Sequence, residues 1–353
     1  MGSGHERRIQ KYLAVFLIIA VTAFFLDGCS HGTQEETGEK TDAMSIGICF
    51  DTFVVERWMK DRDVFSSTAS ELGAFVDVQN ANGSLEKQKE QIRHFISQKV
   101  DAIVIVPIDG KEITGLVQEA KEEGIKVIAY DRQIENAGVD LYISFYNEEV
   151  GRLMGEAIRD EAGEKAKVLM VCGPTSDSNV ASVEEGFLKV AQESGFQVED
   201  RVYIDGWRAE NVRYYLSGKE ELLDDVDAVL CGNDNLAGEV VRILSEKRLA
   251  GKVAVVGQDA DLPACQRIVE GTQLMTVYKS VETMAKQAAE LTIDLIQGRE
   301  PNSSQTCYDG TYEVPYIALK PEAVTKENMD EVIINSGFHL EEEVYMNVPK
   351  SAY

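Results

Sequence analysis

Five short apolar runs recur along this chain, and each one ends in small or polar residues. They are VDAIVIVPIDG (100–110), KVIAYDR (126–132), KVLMVCGPTSDSN (167–179), VDAVLCGND (226–234) and KVAVVGQDAD (252–261). Uninterrupted apolar runs of this length are typical of parallel strands that are buried on both faces. Segments with helical periodicity separate them. The pattern therefore predicts an α/β protein built on doubly wound parallel sheets.

The run at 126–132 ends in an acid and a base, Asp131 and Arg132. In an open parallel sheet, ligands bind outside the carboxyl ends of the strands. A carboxylate accepts hydrogen bonds and a guanidinium donates them, so the pair suits a ligand that carries both kinds of group. A simple loop cap would also explain one such pair. Five similar strand ends favour a shared binding cleft.

The length of 353 residues predicts about two domains. Two β-α series of similar plan meet near residue 146, and a late strand at 314–320 is expected to cross back between them. The predicted divisions are a signal peptide at 1–28, a flexible acidic tether at 29–43, a first lobe at 44–146 plus 280–307, and a second lobe at 147–279 plus 308–340.

The leader indicates export and a lipid anchor. Basic residues precede an apolar segment at 12–26, which is shorter than the about 20 residues that a membrane span needs. The sequence LDGC at 26–29 follows and resembles the lipobox of bacterial lipoproteins, which implies lipidation of Cys29. Asp27 departs from that pattern, and an uncleaved anchor or an ordinary signal peptide is the alternative. The folded part is expected outside the cytoplasmic membrane, in the cell envelope or periplasm and attached to the membrane by lipid.

Charge and cysteine content exclude several classes of protein. The chain has 61 acidic and 35 basic residues, a formal net charge of −26, so it would repel a phosphate backbone and nucleic-acid binding is not expected. The cysteines after the lipobox are odd in number and widely spaced, which predicts neither a disulfide framework nor a metal site. They are Cys49, Cys172, Cys231, Cys265 and Cys307.

Seven motifs of this chain resemble the bacterial D-xylose-binding proteins that serve ABC importers, within the ribose, galactose and xylose group of periplasmic binding proteins. The resemblance covers about residues 44–340, with the motifs in the same order. They are ERWMKDRD (56–63), AYDR (129–132), ISFYN (143–147), DGW (205–207), GQDADL (257–262), GTQLMTVYK (271–279) and GFH (337–339).

The resemblance implies a type I periplasmic-binding fold, in which two lobes joined by a three-crossing hinge close over a sugar. The chain is expected to be a monomer, and no cofactor or metal is predicted. At position 146 this chain has Tyr146 where the family usually has Asp, which puts one hydroxyl contact in doubt. The sugar contacts that the resemblance implies are Arg57, Trp58, Asp131, Arg132, Asn147, Asn179, Trp207, Asn233, Asp259 and Lys279.

The residue chemistry favours sugar binding over the rival functions. Sugar hydroxyls donate and accept, and the apolar face of a pyranose packs on a flat ring, for which Trp58 and Trp207 are the available tryptophans. No GxSxG, HExxH or P-loop pattern is present, so an enzyme is not expected. A sugar-responsive transcription regulator, which would share the two-lobed fold, would carry a helix-turn-helix before it. This chain has the lipobox and the acidic tether in that place, so a regulator is not expected.

The expected partners are a monosaccharide, D-xylose or a related pentose, and the membrane permease of an ABC sugar importer. An alternative output is presentation of the sugar to a membrane sensor kinase, because the same cleft and the same closure serve both outputs.

Overall fold

The computed structural model describes residues 43–219 and 221–348. The predicted signal peptide, nearly all of the tether and Cys29 lie outside these residues. The described chain forms two β-sheets flanked by helices, and each sheet with its helices is one lobe. Across these residues, no helix is both long enough and apolar enough to cross a membrane.

The first lobe contains a seven-stranded sheet in the order β11-β12-β5-β4-β3-β1-β2. All neighbouring strands are parallel except the β11–β12 hairpin, which is antiparallel. The strands are β1 (Met44–Phe50), β2 (Ala74–Asn80), β3 (Ala102–Ile105), β4 (Lys126–Tyr130), β5 (Leu141–Phe145), β11 (Gln305–Tyr308) and β12 (Glu313–Leu319). The helices are α1 (Arg57–Glu71), α2 (Leu85–Gln98), α3 (Thr114–Glu122) and α10 (Val281–Ile296).

The second lobe contains a six-stranded sheet in the order β13-β10-β9-β8-β6-β7, parallel except for the β10–β13 pair. Its strands are β6 (Lys167–Cys172), β7 (Gln197–Tyr203), β8 (Ala228–Cys231), β9 (Ala254–Gln258), β10 (Met275–Tyr278) and β13 (Glu322–Val324). Its helices are α4 (Asn147–Ala162), α5 (Ser178–Ser194), α6 (Glu210–Leu216), α7 (Leu222–Asp225), α8 (Asp234–Glu246), α9 (Leu262–Glu270) and α11 (Glu341–Val344), with a 3-10 turn at Asp205–Trp207 and a π turn at Asp330–Ile334.

Burial follows the position of each strand in its sheet. Every residue of the central strands β3 (AIVI) and β8 (AVLC) is buried, as expected where helices cover both faces. The edge strand β7 (QVEDRVY) instead alternates between exposed and half-buried residues. Its charged side chains also discourage pairing of this edge with another chain.

The chain passes between the two sheets three times, at residue 146, at 279–280 and at 320–321. The third passage differs from the prediction, which placed the lobe boundary at 307/308. β12 belongs to the first sheet, where it pairs in parallel with β5 and stacks Tyr316 on Tyr142 with ring centroids 4.8 Å apart. The prediction that 308–340 lies in the second lobe is therefore wrong for β12. The apolar pattern at 314–320 indicated a strand, but it carries no information about which sheet supplies the partner.

Helices α4 and α5 touch backbone to backbone through a glycine on each helix. A Cβ built on Gly151 would lie 1.8 Å from the carbonyl oxygen of Val183, and one on Gly186 would lie 1.8 Å from the carbonyl oxygen of Glu148. Neither glycine has a positive φ, so the requirement is space and not backbone conformation. This close crossing fixes α5, whose first residues carry Asn179 toward the first lobe.

We predict that Gly186→Ala lowers the free energy of unfolding by roughly 1–3 kcal/mol, because the added methyl group forces the two helices apart. The matched control is Gly115→Ala on α3, where a Cβ meets no atom within 4 Å. That change should leave stability unchanged or raise it by about 0.5–1 kcal/mol, since alanine is the better helix former. Urea denaturation followed by circular dichroism measures both variants, and equal effects would contradict the close crossing.

Candidate functional site

A cavity lies between the two lobes, where the carboxyl ends of both sets of parallel strands face each other. All but one of the side chains that the sequence predicted as sugar contacts line it. These are Arg57, Trp58, Asp131, Arg132, Asn179, Trp207, Asn233, Asp259 and Lys279. The rule that parallel strands present their ligand groups at one edge explains why residues so far apart in sequence meet here.

Arg57 connects the two lobes through carboxylates. It lies at the start of α1 and is only 2% exposed. Its guanidinium lies 3.3 Å from Asp61 on the same helix, 3.1 Å from Asp131 at the end of β4, and 3.7 Å from Asp259 of the second lobe. Burial alone would lower the pKa of Arg57, but the neighbouring carboxylates raise it above its usual range. The guanidinium therefore stays charged.

Asp131 is held as a carboxylate. Burial would raise the pKa of Asp131, but the positive charges of Arg57, Lys279 and Arg132 outweigh burial and hold it below its usual range. The side-chain amide of Asn179 donates to Asp131 Oδ2 at 3.0 Å, which joins the second lobe to this strand end. An acid with a lowered pKa suits hydrogen-bond acceptance and not proton donation to a leaving group.

Arg132 makes the second ion-pair connection between the lobes. Within the first lobe its Nη1 donates to Asp51 at 2.7 Å and to the Pro107 carbonyl at 3.0 Å. Its Nε lies 2.7 Å from Asp177 of the second lobe. The same carboxylate oxygen of Asp177 accepts a hydrogen bond from Trp207 Nε1–H at 3.3 Å. Asp177 therefore aligns the tryptophan while it pairs with the arginine.

Sequence reasoning missed Asp177 and Gln258. Asp177 precedes α5 and accepts a hydrogen bond from the backbone of Asn179, so its local signal is that of a helix cap. Gln258 is the last residue of β9, next to the predicted Asp259, and lines the cavity. Its position at the end of a strand, where site residues are expected, could have predicted that Gln258 lines the cavity.

The cavity wall presents unpaired donors and an unpaired acceptor. Arg57 Nη2, Trp58 Nε1 and Gln258 Oε1 are buried and have no hydrogen-bond partner among the described residues. Buried polar atoms are nearly always paired, so unpaired ones in a cavity indicate a polar ligand. The combination fits a small molecule whose groups both donate and accept.

Three side chains of the site stand on strained backbone. Asp131, Trp207 and Asp259 have φ values of +65°, +57° and +100°, in the region that favours glycine. Such conformations persist where contacts with the surrounding structure hold the backbone in place, and they cluster at ligand sites. Lys279 Nζ lies 2.8 Å from Asp259 Oδ1, which fixes this carboxylate in the cavity.

The structure does not bring Asn147 to the cavity wall. Its amide donates to Asn179 Oδ1 at 2.9 Å and to Ser144 Oγ at 3.3 Å, so it supports Asn179 from behind. Tyr146, which stands where the resemblance leads one to expect an aspartate, is 40% exposed. Its hydroxyl accepts from Gln305 at 2.8 Å, on the outer face of the first crossing.

The described residues contain no cluster of acid, histidine and cysteine side chains that could hold a metal ion. All five cysteines of this part are free thiols. Burial raises the pKa of each of these thiols, so none is a reactive thiolate at neutral pH.

Two α/β lobes with a polar cavity between them define a two-lobed solute-binding protein, and the comparisons with known proteins agree. The periplasmic binding protein domain family matches residues 46–300. The chain is 42% identical over 306 residues to the D-xylose-binding periplasmic protein of Escherichia coli strain K12, covering 85% of this chain and 92% of that protein. It is 41% identical over 310 residues to the D-xylose-binding periplasmic protein of Haemophilus influenzae, covering 86% and 92%.

A solved structure shows the same architecture. The ABC transporter solute binding protein from Clostridium phytofermentans with bound β-D-glucose superposes with a TM-score of 0.77 at 26% identity, covering 85% of this chain and 99% of that one. This chain belongs to the periplasmic binding protein family. The predicted fold is confirmed, and as a family member the protein is a binding protein and not an enzyme.

The Trp207 ring packs directly against Gly173, which gives a direct test of the cavity wall. A Cβ built on Gly173 would lie 2.1 Å from the Trp207 ring. We predict that Gly173→Ala displaces this ring, shifts the fluorescence emission of Trp207 and weakens ligand binding, while circular dichroism still shows a folded chain. The measurement is made in a Trp58→Phe background, so that Trp207 is the remaining tryptophan. An unchanged emission spectrum would contradict the packing of Trp207 against Gly173.

Proposed function

We propose that this protein captures a monosaccharide, D-xylose above all, outside the cytoplasmic membrane and delivers it to an ABC sugar importer. The observation that carries the proposal is the cavity itself, where fixed carboxylates, guanidiniums and an ammonium stand beside two tryptophans. The two relatives at 41–42% identity, both D-xylose-binding periplasmic proteins, support the choice of sugar.

The chemistry of the cavity supports a neutral sugar over an ionic ligand. Its three cationic groups, Arg57, Arg132 and Lys279, each already pair with a carboxylate. An anionic or cationic ligand would have to displace one of these buried pairs, which is costly. A sugar hydroxyl can donate to a carboxylate oxygen and accept from a guanidinium N–H without displacing either.

The two tryptophans give the cavity its flat aromatic surfaces, beside the aliphatic side chains of Val55, Val180, Val183 and Leu230. Trp58 comes from the first lobe and Trp207 from the second, and both line the cavity. The ring hydrogens of a pyranose form an apolar face that packs on an indole. Because each lobe supplies one indole, closure of the lobes completes the apolar surface around the sugar.

The test of the function is calorimetric titration with D-xylose, with Asp131→Asn as the variant. Asparagine tolerates the left-handed backbone at this position and keeps the side-chain shape, so the change removes mainly the charge. A hydrogen bond to a charged group contributes roughly 1.5–3 kcal/mol, so we predict about ten- to a hundredfold weaker binding.

The matched control for Asp131→Asn is Asp160→Asn, an acid on α4 that is 72% exposed. It should leave the affinity for D-xylose unchanged. A wild-type protein that does not bind D-xylose would overturn the choice of sugar, and a panel of pentoses and hexoses then identifies the ligand. Undiminished affinity in a folded Asp131→Asn variant would place the site elsewhere.

We further infer that Cys29 carries the lipid anchor. This residue lies outside the described residues, and the inference rests on the basic, apolar and LDGC segments of the leader. We predict that the wild-type protein partitions with membranes, since multiple acyl chains anchor a protein stably. Cys29→Ala should abolish labelling by a fatty-acid analogue. A mature protein that begins far from residue 29 and carries no lipid would contradict the inference.

A further inference from the structure

Lys60 reaches from the first lobe to the second at a point outside the sugar cavity. It lies on α1, one turn after Arg57, and is half-buried. Its ammonium donates to the backbone carbonyl of Phe338 at 2.9 Å and lies 3.8 Å from the centre of the Phe338 ring. It also lies 3.4 Å from His339 Nδ1. One side chain thus makes a charged hydrogen bond and a cation–π contact across the lobes.

The other ring nitrogen of His339 fixes how the imidazole is protonated. His339 Nε2 lies 2.8 Å from the carbonyl oxygen of Ala260, and a carbonyl can only accept. Nε2 therefore carries the proton, and in the neutral ring Nδ1 is left as an acceptor facing Lys60. The pKa of His339 is lowered to about 4, mainly by burial; the hydrogen bond to the Ala260 carbonyl opposes this shift, and the nearby Lys60 charge adds to it. The ring is therefore neutral at neutral pH.

The segment Gly337-Phe338-His339 supports the two residues that present the second lobe's charges. His339 donates a hydrogen bond to the carbonyl of Ala260, which follows Asp259 in the chain. Asp259 and Ala260 both have a positive φ. The Phe338 ring packs edge-on against Tyr278, the residue before Lys279, with centroids 4.9 Å apart. The segment therefore lies behind the Asp259–Lys279 ion pair of the cavity.

We propose that Lys60, Phe338 and His339 form a closing latch, which holds the lobes together outside the cavity and positions Asp259 through His339. Neither Lys60 nor His339 lines the cavity, so both are positioning residues. The proposal rests on the proposed sugar-binding function, because its consequence for affinity requires a sugar that binds between the lobes.

The latch should act on sugar release. Its contacts join two lobes, so they form on closure, after the sugar has entered. Loss of such contacts changes the dissociation rate much more than the association rate. The gain on closure is a charged hydrogen bond and a cation–π contact, offset by the loss of water around the ammonium.

The first experiment compares D-xylose dissociation from the wild type and from Lys60→Met by stopped-flow tryptophan fluorescence. Methionine keeps an unbranched side chain of similar length but loses the charge. We expect dissociation about three- to tenfold faster, with the association rate unchanged. Lys60→Arg keeps a charged donor and should restore at least part of the slow release. Lys87→Met, on the exposed face of α2, is the matched control and should release sugar as the wild type does.

The second experiment separates the positioning role of His339 from simple packing. His339→Ala removes the bond to Ala260 and should weaken D-xylose affinity, whereas His339→Gln supplies an amide N–H to that carbonyl and should recover much of it. The effects of Lys60→Met and His339→Ala should be less than additive if the two act together. Equal affinity in His339→Ala and the wild type would overturn the positioning role, and His339→Gln keeps the test valid where the alanine variant is unstable.

Failure of the latch and failure of the proposed function give different results. If the wild type binds D-xylose but Lys60→Met shows wild-type release, the latch is overturned and the function stands. If the wild type binds neither D-xylose nor any other sugar of the panel, the proposed function falls, and the latch falls with it because its effect on release needs a bound sugar. If the wild type binds another sugar of the panel instead, the latch is judged on the release of that sugar, where wild-type release from Lys60→Met overturns it.

Discussion

The buried guanidinium of Arg57 is the charge on which the arrangement of the two lobes depends. An unpaired charge in this position would cost several kcal/mol. Two of its carboxylate partners, Asp61 and Asp131, belong to its own lobe, and the hydroxyl of Tyr130 donates to Asp61. Burial raises the pKa of Asp61, and Arg57 opposes that rise. The first lobe therefore keeps Arg57 paired and oriented whether or not the second lobe is near.

Arg132 repeats the same design. Within the first lobe it pairs with Asp51 and donates to a backbone carbonyl. It also pairs with Asp177 of the second lobe, just as Arg57 pairs with Asp259. The second lobe thus gives each arginine one additional carboxylate in exchange for water. The net gain from such an exchange is small, because desolvation offsets most of the attraction. Under the proposed function, a modest contribution from a ligand is then enough to shift the balance between open and closed lobes.

The strained strand ends show what the two sheets provide for the site. Asp131 follows β4 and Asp259 follows β9, and both strands are almost wholly buried in their sheets. A residue on such a strand end cannot relax without disturbing the ladder and the core behind it. The sheets therefore hold the carboxylates in conformations that a surface loop would abandon, and this rigidity keeps them placed for a ligand.

The sequence alone determined the two-lobed α/β plan and most of the cavity. Buried parallel strands leave an apolar pattern that is local in sequence, and their carboxyl ends meet at one edge, so the sequence by itself places Asp131 and Asp259 together. Tertiary structure alone decided which sheet contains β12 and that Asn147 lies behind Asn179. It also decided that Asp177 pairs with Arg132 besides capping a helix, and that Lys60 contacts Phe338 across the lobes. These outcomes depend on partners far away in sequence, and a local pattern of apolar and polar residues contains no information about distant partners.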